Sequence, residues 1–226
     1  MEFYERLGFT QARTGDTWPH PYGVLTDGRV HIGLHQSRVA SPALTFVRPE
    51  IAGHIAALER IGIEPSTVNV GSEVFNEVGF RDPAGQPVRL LEARTYSPSD
   101  RDALETSRCG AFAALSLPVA DFEPVARFWE ALGFAAGKEQ AQPFPHLPLA
   151  GDGIDLRLHR PQLCAGPLLI FRDAAMPQRL AQLHELALCP LEPPPRGLNT
   201  RNSALLRAPE GTALLLLQDG PHRLCR

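Results

Sequence analysis

The chain has almost no lysine, few cysteines and no long apolar run, and each scarcity removes a class of function. Of 22 basic residues only Lys138 is a lysine, so the positive charge is carried by arginine. Basic residues do not outnumber the 25 acidic ones, and a net charge of −3 provides no field for nucleic acid. No apolar stretch approaches the ~20 residues of a membrane span, and the first residues do not form a signal peptide. Cys109, Cys164, Cys189 and Cys225 are scattered without C-x-x-C spacing. They read as free thiols in a reducing cytoplasm. No G-x-S-x-G, P-loop or Rossmann glycine pattern occurs, and no Cys–His nucleophile pair is visible. Arginine with abundant alanine and proline points to a GC-rich bacterial genome. What remains is an ordinary globular composition, 43% apolar and 21% charged over 226 residues, enough for one large or two modest domains.

The chain says many things twice. "EFYERLGF" at 2–9 returns as "RFWEALGF" at 127–134, aligning Tyr4 with Trp129 and Gly8 with Gly133. "WPH" at 18–20 is echoed by "FPH" at 144–146, and "DGRVHIGLHQ" at 27–36 by "DGIDLRLHRP" at 152–161. "ALTFVRPEIAGHIAALERIGIEP" matches "PLLIFRDAAMPQRLAQLHELALCP", and "FRDPAGQPVRLLE" matches "LRAPEGTALLLLQ". Such a sustained offset means two copies of one unit. They are expected at 1–93 and 109–220, joined by a polar, aperiodic linker over 94–108.

Periodicity alternates within each copy. Ile51, Ile55, Leu58 and Ile61 form a helical stripe for 50–62, stopped by Gly62. Val30, Ile32 and Leu34 alternate with His31, Gly33 and His35, a strand with one face on an apolar core. "DPAG" at 82–85 is a tight turn, which pairs 74–81 with 86–92 as a hairpin. The second copy opens with an alternating strand, "FAALSLPVAD" at 112–121, before helix 123–132. The first copy has no such strand, because Met1 aligns with Ala126. Its sheet is therefore expected to carry a bare edge, which chains rarely leave. Either the natural chain starts about 15 residues upstream, or a partner chain or the tail "GPHRLCR" fills the slot. A helix starting at residue 2 without a cap is a poor beginning, so it is expected to fray.

A strand, a helix holding "FYERLGF", three strands, then the same again ending in "DPAG", resembles the vicinal oxygen chelate family. That family includes glyoxalase I, extradiol dioxygenases, and fosfomycin- and bleomycin-resistance proteins. The resemblance implies an α+β fold of tandem βαβββ modules, four modules in two domains, with curved mixed sheets enclosing cavities and the first strand of the first domain missing. It also implies a divalent metal, which needs about three convergent ligands. The family's leading-strand histidine falls at Ala114, and its glutamate at Arg89 and Leu215. The second modules open on Pro42–Ala43 and Pro167–Leu168, which leaves His31 and Asp155 as donors. On a strand, His31 and His35 stand about 13 Å apart, too far to chelate one ion. No metal, no cofactor and no catalytic residue is expected.

The inward faces then hold the candidate site. His31, His35 and Arg89 belong to the first copy; Asp155, Arg157, His159 and Leu215 belong to the second. Trp18, His20, Tyr22, Phe144 and His146 come from the loops before those strands and are expected to stack on a planar ligand or to plug the sheet edge. Arg89 either pairs with Glu77 on the neighbouring strand or holds an anionic group. The expectation is a cytoplasmic, metal-free protein, similar to bleomycin-resistance members, that binds a small planar or aromatic compound, with a homodimer as a candidate assembly. Cationic bleomycin does not suit Arg89 and Arg157. The alternatives are a metal-dependent glyoxalase- or dioxygenase-like enzyme with an unusual ligand set, and a degenerate domain pair used for protein contact.

Overall fold

The structure is a computed structural model that describes residues 1–13, 18, 20–38, 41–92, 107–186 and 190–219. Pro19, Cys189, Cys225, the tail and all of the expected linker except Ser107 and Arg108 lie outside the described residues. The first copy runs α1 (Glu2–Arg6), β1 (Thr10–Ala12), β2 (Tyr22–Thr26), β3 (His31–His35), β4 (Leu44–Arg48), α2 (Ile51–Arg60), β5 (Thr67–Asn69), β6 (Glu77–Arg81) and β7 (Pro87–Glu92). The second runs β8 (Ala111–Pro118), α3 (Phe122–Ala131), β9 (Ala135–Ala136), β10 (His146–Ala150), β11 (Leu156–His159), β12 (Leu168–Asp173), α4 (Met176–Glu185), β13 (Ser203–Arg207) and β14 (Ala213–Gln218). The result is an α+β fold with mixed sheets.

In the second copy one seven-stranded sheet runs β13-β14-β12-β8-β11-β10-β9. Its centre is β8, parallel to β11 on one side and antiparallel to β12 on the other. The helix after it starts cleanly, because Asp121 accepts a hydrogen bond from the Glu123 amide. The first copy has the same halves without the join. One sheet is β1-β2-β3 and the other β4-β7-β6-β5. Among the described residues, β3 pairs only with β2 and β4 only with β7. Among the described residues, the edge expected from the repeat is unpaired.

The expected fraying of the first helix is not seen. Tyr4 and Leu7 are buried, and the Tyr4 hydroxyl donates to Glu210 Oε1 at 2.6 Å. Arg6 Nη2 donates to the Leu186 carbonyl at 2.8 Å. Burial against the other copy takes the place of a cap.

The helices lie between the copies, and the halves pair crosswise. One core joins Leu44, Ile51, Val78 and Phe80 of the first copy to Leu115, Trp129 and Leu158 of the second. The other joins Tyr4, Leu7 and Leu25 to Phe171, Met176 and Leu214. The two repeated aromatics are thus equivalent anchors. Tyr4 reaches the last turn of the second copy, and Trp129 Nε1 donates to Asp82 Oδ2, in the last turn of the first, at 3.3 Å. With the helices inside, the inward strand faces of both copies point away from the shared cores.

Candidate ligand-binding cup

Val30, Ile32 and Leu34 pack into the second of those cores, as their alternation requires, so His31, Gly33 and His35 occupy the opposite face of β3. Tyr22 stands opposite His35 on β2, and the two rings stack with centroids 5.8 Å apart at 15°. His20 Nε2 and His35 Nδ1 are 3.0 Å apart, so one imidazole donates to the other. Trp18 lies over this pair, 5.1 Å from the His35 centroid and 5.8 Å from that of His20. From the other half-sheet Phe75 comes within 5.3 Å of Trp18, and the Arg89 guanidinium carbon sits 5.6 Å from its ring centroid. Aromatic rings and one guanidinium therefore converge from both half-sheets of the first copy.

Burial pushes the His35 pKa down, and the positive charges of His20 and Arg89 push it further the same way. Arg89 has Gly79, not Glu77, opposite it on β6. Among the described residues it has no carboxylate or hydrogen-bond partner, so its donors are unused. Trp18, His20, Tyr22, His35, Phe75 and Arg89 are all half-buried. His31 lies four residues along the same strand face.

The second copy places its counterparts differently. His146 faces His159 across β10 and β11, which puts His146 in the position of Tyr22 rather than of His20. The repeated WPH and FPH are thus offset by two residues in the folded sheets. Phe144, His146, His159 and Leu215 are at most 3% exposed. Phe144 and Leu215 join Leu168, Ile170, Leu205 and Leu217 in a third apolar cluster that fills this cup from within.

The histidines are wired into the same plug. His159 Nε2 must donate to the Cys164 carbonyl at 2.9 Å, which leaves Nδ1 to accept from Ser116 Oγ at 2.8 Å. His146 Nδ1 donates to the Phe144 carbonyl at 2.8 Å. Burial lowers the pKa of both rings. Arg157 also faces this side. Among the described residues its buried Nη1 has no hydrogen-bond partner, and burial together with the nearby Arg172 brings its pKa down to about 10. Asp155 is exposed at the end of the sheet.

The positions where the resemblance implies metal ligands hold Ala114, Arg89 and Leu215, none of which donates to a cation. Among the described residues no three His, Cys, Asp or Glu side chains are grouped so as to hold a metal ion. Among the described residues the His20–His35 pair has no third donor, and the Arg89 guanidinium lies close by. The residues present do not fit a divalent ion.

No family model and no curated protein sequence matches the chain. Solved structures do. A catechol 2,3-dioxygenase superposes with a TM-score of 0.54 at 14% identity, covering 97% of this chain and 88% of that one. A 4-hydroxymandelate synthase variant from Streptomyces coelicolor gives 0.59 at 15% identity, over 96% and 87%. A homoprotocatechuate 2,3-dioxygenase variant from Brevibacterium fuscum gives 0.58 at 14% identity, over 96% and 66%. The chain shares the fold of these structures. Within this fold the chain's two inward faces have diverged, one filled by its own side chains and one lined by aromatic rings.

Sequence reasoning missed Phe75, which precedes the hairpin strand with no periodic signal. It also missed Ser116 and the Cys164 carbonyl, because hydrogen-bond partners of a strand histidine lie on other strands.

Proposed function

We propose that the protein binds a small planar compound carrying an anionic group, without a metal, in the first-copy cup. The observation that carries this reading is Arg89: a half-buried guanidinium against Trp18, with no acidic partner among the described residues. The rings of Trp18, Tyr22 and His35 supply stacking surface, and Arg89 supplies paired donors suited to a carboxylate. Free Cys109 and Cys164 accord with a cytoplasmic setting.

The competing reading gives this chain the oxygenase activity named for its structural neighbours. It requires a ligand set that the described residues do not supply, so it is the weaker of the two. Titration of the protein with 2-naphthoate and 2-naphthamide, followed by tryptophan emission, separates the outcomes. The carboxylate quenches Trp18 and binds about tenfold more tightly than the amide, and Arg89→Gln removes that preference. Equal binding of the two probes, or about one metal ion per purified chain by elemental analysis, overturns the proposal.

A further inference from the structure

A cavity of about 360 Å³ lies on the opposite side of the first-copy sheet from the cup, between α2 and the C-terminal end of α3. The alternation along β7 separates the two sites: Val88 and Leu90 line this cavity, whereas Arg89 points into the cup. Its walls are apolar, built from Phe46, Leu58, Phe80, Leu90, Trp129 and Phe134. Arg48, His54 and Arg60 also line it, and no lining residue is acidic. The Arg48 guanidinium carbon lies 5.6 Å from the centroid of the Phe46 ring. Among the described residues none of these three basic side chains has an ion-pair or side-chain hydrogen-bond partner.

The space opens to solvent beside exposed Arg60 and Ile61, so its apolar wall is wetted when nothing covers it. The apolar wall suits a hydrocarbon body, and the basic side chains suit a negative end. We infer that this cavity is a binding site for an amphipathic carboxylate, a small fatty or arylalkanoic acid whose tail lies against Phe46, Ile61 and Leu132, above buried Trp129, and whose head meets Arg48 and Arg60. The volume falls within the roughly 300–1,000 Å³ of small-molecule sites. The site is independent of the cup and of the function proposed for it.

Trp18 and Trp129 are the two tryptophans, so a Trp18→Phe protein reports on this cavity alone. Decanoate titrated into that protein shifts the Trp129 emission and saturates at one molecule per chain. The Arg48→Gln, Arg60→Gln double variant in the same background weakens decanoate by about tenfold or more. Decanol binds the unsubstituted cavity about tenfold more weakly than decanoate, a comparison that stands even if the double variant fails to fold. No saturable change at millimolar decanoate overturns the inference, as does equal binding of decanol and decanoate.

Discussion

Asp82 shows how much one turn residue does in this molecule. Its Oδ1 accepts from the Ala84 and Gln86 amides at 2.9 and 2.8 Å, which shapes the last turn of the first copy. Its Oδ2 takes the Trp129 indole N–H. Burial raises its pKa, and these hydrogen bonds oppose the rise without cancelling it. Trp129→Phe leaves Oδ2 buried without that donor and destabilises the protein by about 1–3 kcal/mol in urea denaturation. Tyr4→Phe frees Glu210, which is exposed, and costs about 0.5–1.5 kcal/mol. A larger loss for Tyr4 than for Trp129 would mean that the two anchors are not ranked by the burial of their acceptors. The buried histidines act through pH. The unfolded chain takes up a proton on histidine near 6.5, whereas folded His146 and His159 do so only at lower pH. Below 6.5 the unfolded state binds more protons, so stability falls as the pH drops. His159→Gln makes the fall in melting temperature between about pH 7 and pH 5 shallower; an unchanged slope would show that this ring is not a source of it.

At the scale of elements, the halves of the first copy carry edges that the second copy covers. Amides on the open sides of β3 and β4 exchange with deuterium at least about tenfold faster than those of β11 and β12, which flank β8. Matching protection in the two copies would mean that something covers the first-copy edges in solution. The element level is also where the sequence was most readable. Val30, Ile32 and Leu34 fixed the facing of β3 because a strand alternates strictly, and the "DPAG" turn marked the hairpin because its geometry demands those residues. The absent strand was legible because a repeat supplies its own template. The cups were not. The plug around Phe144 and the cluster around Trp18 are built by loops whose two-residue offset relative to the strands leaves no periodic trace. Nor did anything in the repeated helix say that Tyr4 and Trp129 would dock on the opposite copy, since an apolar stripe identifies a buried face without naming its partner.

At the scale of the whole molecule, the two cores that join opposite copies imply shared stability. Each contains residues from both halves of the repeat, and only the smaller cluster around Phe144 lies within a single copy. Calorimetry should give one transition, with calorimetric and van't Hoff enthalpies that agree. Residues 1–92 produced alone should lack the near-ultraviolet signal of packed aromatics. Two resolved transitions, or a folded 1–92 fragment, would show that each copy stands by itself.

The crosswise pairing also bears on how the protein is made. Tyr4 and Glu210 are 206 positions apart along the chain, and β14, which helps to cover the first helix, follows every other described strand in order of synthesis. At roughly 5–20 residues per second, the ribosome exposes that helix for many seconds before Leu214 and Leu216 emerge to cover it. During this interval Phe3, Tyr4, Leu7 and Phe9 form a sticky patch on a nascent chain, a natural station for a chaperone. Closure of the second core is then a late event, and its long loop makes it slow.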